Sequence, residues 1–179
     1  VVGTGHIGQH VIKIAKGFEM RVVAFDPYAK DELAKEYGFE YLPLEELLQV
    51  SDIVTLHAPF TPENKHLINV ERLELMKPTA LLVNTARGEL VDTTALADAL
   101  MHGRLAGAAL DVLEGEQLFK MEEEVGLLRS NQLPQSTGEQ SVALLALNKL
   151  PNVIITPHNA FNTEEAIGRI NATTCQNII

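Results

Sequence analysis

"VVGTGHIG" (residues 1–8) contains the strongest indication of the fold. Two valines precede glycines with the spacing Gly3-x-Gly5-x-x-Gly8, and an amphipathic helical pattern follows them. Glycines at this spacing allow a tight turn, a close approach of the backbone to a pyrophosphate, and close packing between helix and strand. The free N–H groups and positive dipole of the helix N-terminus also favour phosphate. The stretch therefore predicts a dinucleotide-binding strand–loop–helix unit.

Short apolar runs and helical patterns alternate along the rest of the chain. The runs are rich in β-branched or small residues, as expected for strands buried on both faces. They are "MRVVAF" (20–25), "DIVTL" (52–56), "ALLVNT" (80–85), "AGAALDV" (106–112) and "NVIITP" (152–157). Strands that alternate with helices predict an α/β fold with a doubly wound, mostly parallel sheet of the Rossmann type. We therefore interpret residues 1–179 as one such domain.

More specific structural predictions can be made for three segments. The helix after the glycine loop is predicted to bury one face, made of Ile7, Val11, Ile14, Ala15 and Phe18. Residues 116–150 are acidic and then polar with little periodicity, which predicts a long surface excursion with only a turn or two of helix. Residues 163–179 are predicted to form a helix.

Composition narrows the range of functions. The chain has 179 residues, 46% of them hydrophobic, and a formal net charge of -10. That charge argues against a nucleic-acid or anionic membrane surface, and no apolar run reaches membrane-spanning length. The single cysteine, Cys175, cannot form an internal disulfide, which favours the cytoplasm. No pair of histidines has metal-ligand spacing together with a supporting carboxylate, so no metal is expected.

An acidic residue ends the second predicted strand. Asp26 follows Gly8 by 18 residues, the place where a carboxylate accepts hydrogen bonds from the ribose hydroxyls of a bound dinucleotide. A carboxylate there would repel a 2′-phosphate, so NAD is expected rather than NADP.

Four further charged or ionisable residues follow later strands. Arg87 comes just after one predicted strand, Asp111 ends the next with Glu116 five residues further on, and His158 follows the last. Side chains beyond the carboxyl ends of parallel strands converge on the ligand crevice of an open α/β sheet. Each residue, taken alone, is better explained as a solvated surface residue or as part of a turn. Together they predict an active site at that edge.

The chain resembles the D-isomer-specific 2-hydroxyacid dehydrogenases along its whole length. The motifs that carry the resemblance are "GTGHIGQ", "FDPY", "LHAPFTPENKHLIN", "NTARGELVD", "LDVLEGE" and "TPHNAF", in that order. By the family pattern, the catalytic residues are Arg87, Glu116 and His158. The pattern also implies NAD contacts, in addition to the three glycines, at His6, Ile7, Asp26, Ala58, Pro59, Asn64, Thr85, Ala86, Arg87 and Asp111.

The resemblance implies reversible hydride transfer between NADH and a small 2-keto acid, with pyruvate and D-lactate as the leading pair. Arginine binds a carboxylate bidentately, and a histidine oriented by a glutamate exchanges a proton with the ketone oxygen. The family builds its substrate domain from flanking chain, so we expect that domain to be absent here and this chain alone to be inactive. A homodimer through the cofactor domain is also implied.

Other functions stay open at this point. The substrate could be glycerate, phosphoglycerate or a branched hydroxy acid. The protein could also be an NAD-sensing regulator or corepressor, since such relatives can retain the catalytic residues. An L-specific lactate or malate dehydrogenase would share the glycine loop but would not be expected to contain "NTARGELVD" or "TPHNAF".

Overall fold

The structure is a computed structural model and describes residues 1–115 and 135–178. Helices and strands alternate through these residues, as the sequence predicts. The helices are α1 (His6–Gly17), α2 (Asp31–Tyr37), α3 (Leu44–Val50), α4 (Val70–Leu75), α5 (Thr93–Met101), α6 (Gln135–Lys149) and α7 (Glu164–Ile178). The strands are β1 (Val23–Ala24), β2 (Glu40–Tyr41), β3 (Ile53–Leu56), β4 (Leu81–Asn84), β5 (Gly107–Leu110) and β6 (Val153–Ile155).

Val2 joins the strands into one parallel arrangement. β1 pairs with β2, and β3, β4, β5 and β6 pair in that order, all in parallel. Val2 lies between the two groups and bridges Phe25 on one side and Leu56 on the other. The resulting order places the first segment of the chain in the centre, which is the doubly wound order of dinucleotide-binding folds. The predicted fold class is confirmed.

Two apolar clusters cover the sheet. The larger one packs β3, β4 and β5 against α3, α4 and α5, with Leu47, Leu82 and Leu96 almost completely buried. The smaller one surrounds Ile12 on the other side, beneath α1 and α2. One face of β3 and β4 is buried beneath the helices, at Val54, Leu56 and Leu82. The predicted burial on both faces is wrong for these strands and for β6, because Ile53, Leu81 and Ile154 on the other face are exposed.

The buried face of α1 differs from the predicted one. Gly8 and Ile12 face the sheet, and the predicted Val11 and Ala15 pack partly buried beside them. The other three predicted residues, Ile7, Ile14 and Phe18, are exposed. Gly8 decides this orientation, because a Cβ at that position would collide with the carbonyl oxygen of Gly3. The absence of a side chain lets the helix approach most closely at Gly8, and that contact overrides the apolar stripe.

The second half of the predicted excursion is helical. Residues 116–134 lie outside the described residues, but α6 spans fifteen residues and packs on α5. Its buried side chains include Ala143, Leu144 and Leu147. These three residues lie on one face of a helix, and the polar run before them obscured that short apolar pattern. The predicted final helix is present as α7.

Among the residues that the structure describes, none of the helices is long and apolar enough to cross a membrane.

Candidate active site and cofactor-binding surface

The glycine loop has the shape needed to hold a pyrophosphate. Gly3 has φ +92°, and a Cβ there would lie 2.8 Å from the backbone nitrogen of Ala58. A Cβ at Gly5 would meet no atom within 4 Å, so the backbone is open to a ligand on that side. The loop is therefore closed against the protein at Gly3 and Gly8, and open at Gly5.

The first turn of α1 adds hydrogen-bond donors beside Gly5. The first helical hydrogen bond runs from the Gln9 N–H to the Gly5 carbonyl at 2.9 Å. The N–H groups of His6, Ile7 and Gly8 precede that bond and have no acceptor within the helix. No acidic side chain lies in this first turn, so nothing there opposes an anion. These groups fit the diphosphate of NAD.

Asp26 lies at the carboxyl end of β1, beside the glycine loop. The Thr4 N–H and hydroxyl donate to Oδ2 at 2.7 and 2.8 Å, and the Tyr28 N–H donates to Oδ1 at 2.9 Å. Burial alone would raise the pKa of Asp26, but these hydrogen bonds and the charge of Lys30 lower it below the ordinary 3.8. Asp26 is therefore a fixed carboxylate at neutral pH, suited to accept from ribose hydroxyls.

The segment after β3 supplies the next predicted contacts. Ala58 touches the glycine loop, as described above, and Pro59 follows it on the surface. Asn64 is held in this segment, because its amide donates to the Pro59 carbonyl and accepts from the Thr61 N–H, both at 2.8 Å. Its side chain therefore shapes the loop.

Burial also determines the charge of His57, which precedes this segment. Its ring lies 2.9 Å from the Thr55 hydroxyl through Nε2. Burial lowers the pKa of His57 to about 4, so the ring is neutral near pH 7.

Asn84, which sequence reasoning missed, shapes the turn that carries Arg87. Its side chain is 1% exposed, donates to the Arg87 carbonyl at 2.9 Å and accepts from the Ala86 N–H at 3.0 Å. The two bonds close the turn through residues 85–87, where the predicted contacts Thr85 and Ala86 lie. The guanidinium of Arg87 is exposed beyond it. The sequence feature that could have identified Asn84 is a polar residue at the last position of an otherwise apolar strand.

Asp111 holds the segment that carries His158. Its Oδ1 accepts from the Thr156 hydroxyl at 2.5 Å and from the Asn159 N–H at 3.0 Å, and its Oδ2 accepts from the Ala160 N–H at 2.9 Å. Asp111 is 5% exposed, and both of its oxygens are engaged. The family pattern implies an NAD contact at Asp111. The described contacts are with the histidine segment.

His158 has a backbone conformation that is uncommon for a residue with a side chain. Its φ is +53°, in the left-handed region, and its N–H donates to the Thr156 carbonyl at 2.9 Å. Such conformations persist where surrounding contacts enforce them, and they are concentrated at functional sites. The hydrogen bonds that the N–H groups of Asn159 and Ala160 donate to Asp111 provide that enforcement. The His158 ring is exposed, with Phe161 edge-on at a centroid distance of 6.3 Å.

Glu116 lies outside the described residues, and the structure describes the segment that leads to it. Glu114 pairs with Nε2 of His66 at 2.7 Å and with the Lys65 ammonium at 3.0 Å. Gly88 packs directly on the peptide between Leu113 and Glu114, where a Cβ would overlap the backbone. The chain before Glu116 is thus fixed against the residue that follows Arg87.

The predicted residues share one edge of the sheet. Arg87, Asp111 and His158 follow β4, β5 and β6, which are neighbours in the sheet, and Asp26 follows β1 on the far side of the glycine loop. Adjacent strands are about 4.8 Å apart, so these groups form a continuous edge that runs from Asp26 to His158. Among residues 1–115 and 135–178, no group of three or more histidine, cysteine or acidic residues could hold a metal.

Comparison with known proteins gives a consistent answer. The chain matches the D-isomer specific 2-hydroxyacid dehydrogenase, NAD binding domain family over residues 1–160. The D-specific alpha-keto acid dehydrogenase of Enterococcus faecalis is 44% identical over 179 residues, which are 100% of this chain and 50% of the relative. The glyoxylate reductase of Pyrococcus furiosus is 42% identical, over 100% of this chain and 46% of the relative.

A solved structure agrees with both. The D-lactate dehydrogenase of Aquifex aeolicus, in complex with NAD and lactic acid, has a TM-score of 0.85 at 38% identity, over 99% of this chain and 50% of that chain. The chain therefore belongs to the D-isomer-specific 2-hydroxyacid dehydrogenases as their NAD-binding domain, and its cofactor is NAD. It spans about half the length of the relatives that it matches.

Proposed function

We propose that the protein containing this domain reduces a small 2-keto acid with NADH to the D-2-hydroxy acid, with pyruvate and D-lactate as the preferred pair. One observation carries the proposal. Arg87 and His158 follow two strands that flank β5, and each is held by a buried polar side chain, Asn84 or Asp111. The ordering of both segments on the same edge of the sheet as the glycine loop fits a reaction between bound cofactor and substrate.

Arg87 is assigned to bind the substrate. Its guanidinium can hold the carboxylate of a 2-keto acid through two parallel hydrogen bonds and polarise the neighbouring ketone oxygen. The Asn84 bonds fix the backbone from which this side chain extends. A rigid base reduces the number of positions that the guanidinium samples, which lowers the cost of ordering it on a ligand.

His158 is assigned as the acid–base group. Bound NADH supplies the hydride to the ketone carbon. Negative charge then grows on the ketone oxygen, and protonated His158 donates a proton to it. In the reverse direction, neutral His158 accepts that proton. Glu116 is assigned, on the family pattern alone, to orient the imidazole.

Cofactor binding is assigned to the opposite part of the edge. The N–H groups of His6, Ile7 and Gly8 would face the diphosphate beside open Gly5, and Asp26 would accept from the adenosine ribose. Ala58, Pro59, Asn64, Thr85 and Ala86 would line the surface between these groups and the nicotinamide. Of the remaining predicted contacts, Asp111 would act mainly by holding the His158 segment.

The identity of the substrate is the most specific part of the proposal. The relatives include proteins named for a D-specific alpha-keto acid, for glyoxylate and for D-lactate, so the domain by itself is compatible with several 2-keto acids. Pyruvate is favoured by "HNAF" (158–161) and the acidic run after "EGE" (114–116), which resemble the D-lactate members.

A substrate panel tests the proposal in the full-length protein. The kcat/KM values are compared for NADH-dependent reduction of pyruvate, glyoxylate, hydroxypyruvate and a branched 2-keto acid, and the product is resolved into D and L forms. We expect pyruvate to rank first and the product to be D-lactate. A different leading keto acid would overturn the substrate only. Binding of NADH without turnover of any keto acid would favour an NAD-sensing regulator instead.

Assembly and location are also proposed. On the family resemblance we expect a homodimer through the cofactor domain, which light scattering on the full-length protein measures as twice the chain mass. The free, exposed Cys175 suits a reducing cytoplasm, since no disulfide partner is needed. Fractionation of cells that express the protein checks this location.

A further inference from the structure

Thr4 stands between two glycines of the loop, and its polar groups are all engaged. The residue is 5% exposed, and its carbonyl accepts from the Gln9 side chain at 2.9 Å. Its N–H and its hydroxyl both donate to Oδ2 of Asp26. The loop that faces the diphosphate is therefore linked directly to the carboxylate that is assigned to the ribose.

Tyr41 extends this link. Its hydroxyl lies 3.0 Å from the Thr4 hydroxyl oxygen. The single hydroxyl proton of Thr4 is given to Asp26, so Tyr41 must be the donor in this contact. Tyr41 is itself fixed, because it pairs in register with Ala24 and lies edge-on to Phe39 at a centroid distance of 4.9 Å. The hydrogen bonds thus run from Tyr41 to Thr4 to Asp26.

The network fixes which oxygen of Asp26 is available to a ligand. A carboxylate has about four acceptor positions, two on each oxygen. Thr4 supplies two donors to Oδ2, while Tyr28 supplies one to Oδ1. Acceptor capacity remains on Oδ1, and the side chain cannot rotate without breaking both Thr4 bonds. The negative charge is therefore held in one position beside the glycine loop.

We propose that Thr4 and Tyr41 are positioning residues that act through Asp26 to set the preference for NADH over NADPH. The proposal rests on the proposed role of Asp26 at the ribose. A carboxylate fixed in one place repels a 2′-phosphate more effectively than one that can swing away into solvent. The hydroxyl of Thr4 opposes that movement together with the N–H groups of Thr4 and Tyr28, and Tyr41 keeps the hydroxyl pointed at Asp26.

The test measures dissociation constants for NADH and NADPH by fluorescence titration of the full-length protein. The readout is the ratio of the NADPH constant to the NADH constant. A general loosening of the fold weakens both cofactors and largely cancels from this ratio. Asp26→Asn removes the charge and is expected to lower the ratio most.

Thr4→Val keeps the shape and the backbone N–H of Thr4 but removes its hydroxyl. We expect it to lower the ratio about tenfold, the effect of one hydrogen bond to a charged group. Thr4→Ser restores the hydroxyl and should keep the ratio within about twofold of the wild type, and Tyr41→Phe should lower it about threefold. As a matched control, Thr55→Val removes a hydroxyl that pairs with His57 and should leave the ratio unchanged.

A double variant separates positioning from simple packing. In the Asp26→Asn background, Thr4→Val should cause no further change in the ratio, because its effect passes through the charge of Asp26. If Asp26→Asn lowers the ratio and Thr4→Val leaves it at the wild-type value, the positioning role is overturned while the assignment of Asp26 survives. A ratio unaffected by Asp26→Asn would overturn both.

Discussion

The strand edge has two proposed ends, an adenosine end at Thr4, Asp26 and Tyr41 and a reacting end at Arg87 and His158, and the structure builds them in different ways. At the adenosine end, Thr4, Asp26 and Tyr41 come from the first 41 residues and bond directly to one another. At the reacting end, Arg87 and His158 are 71 residues apart, and each is positioned through a buried neighbour, Asn84 or Asp111. One end is thus organised by local contacts among its own residues, and the other by two separate anchors.

At the reacting end, the residues that fix the backbone are buried, whereas the residues that would react are exposed. Asn84 and Asp111 are 1% and 5% exposed, while Arg87 and His158 beyond them are exposed. Buried polar groups are costly unless they are bonded, so the anchors keep a fixed geometry. The reacting groups remain accessible to a substrate. We therefore expect variants at the two ends to affect different measurements.

The largest effect is expected for His158→Ala. Loss of the acid–base group should lower kcat for keto-acid reduction about 10²–10⁴-fold. The dissociation constant for NADH should stay within about twofold, because binding at the adenosine end is independent of the imidazole. Stopped-flow and fluorescence measurements on the full-length protein check the two quantities.

The matched control for that variant is His102→Ala. His102 lies at the end of α5, exposed, with its ring against the Asp98 carbonyl at 2.9 Å. It should leave both kcat and NADH binding unchanged. A His158→Ala variant that retains most of its kcat would remove the histidine from the mechanism.

Asp111→Asn is expected to have the next largest effect. An amide group would face at least one of the N–H groups that now donate to the carboxylate, and the segment that carries His158 would lose its anchor. We expect kcat to fall about 100-fold and the free energy of unfolding to fall by about 2–4 kcal/mol. Denaturant unfolding and steady-state kinetics measure these changes. A fall in stability with unchanged kcat would show that the anchor does not position His158.

The same residue predicts a pH dependence of stability. Burial alone would raise the pKa of Asp111, but hydrogen bonds from Thr156, Ala160 and Asn159 and the charge of His158 lower it below the ordinary 3.8. A depressed pKa in the folded state stabilises the fold above the unfolded value, and that stability is lost as pH falls through the folded value. The free energy of unfolding should decline below about pH 4 in the wild type and less steeply in Asp111→Asn. Equal slopes would contradict the assignment.

Asn84→Ala is expected to have the smallest of these effects. It leaves the Ala86 N–H and the Arg87 carbonyl without their partner, so the turn that carries Arg87 becomes less ordered. We expect the KM for the keto acid to rise about tenfold, with kcat reduced less. Steady-state kinetics at saturating NADH measures both.

Asn152→Ala is the comparison for Asn84→Ala. The Asn152 amide donates to the Ala106 carbonyl at 2.9 Å, at the opposite end of the strands. This variant should affect stability but not the KM for the keto acid. If both asparagine variants raise KM equally, the change reflects general loosening of the domain.

Much of the fold, and the shared edge on which the candidate site residues lie, could be predicted from the sequence because the signals are local. Glycine spacing, an acidic residue after the second strand and short β-branched runs each report directly on backbone geometry. The orientation of α1 could not be predicted from its apolar stripe, because the contact between Gly8 and Gly3 outweighs it. The helical pattern in α6 was hidden by the polar residues before it.

For a related reason, sequence analysis missed Asn84 and assigned Asp111 to an NAD contact. Asn84 and Asp111 stand at strand ends, where a polar residue is compatible with a ligand contact, a turn or a structural bond. Only the three-dimensional positions of residues 156–160 show that Asp111 bonds to them. Glu116 rests on the family pattern alone.

We propose that residues 1–179 bind NADH through Asp26 and the glycine loop, and that keto-acid reduction also needs the rest of the full-length protein. The most direct test compares the chain of residues 1–179 with the full-length protein in NADH titration and in pyruvate reduction. We expect residues 1–179 to bind NADH saturably. We also expect Asp26→Asn to lower the ratio of the NADPH dissociation constant to the NADH dissociation constant. No pyruvate reduction is expected above that of the same chain carrying His158→Ala. Robust turnover by residues 1–179 that is lost in His158→Ala would contradict the account.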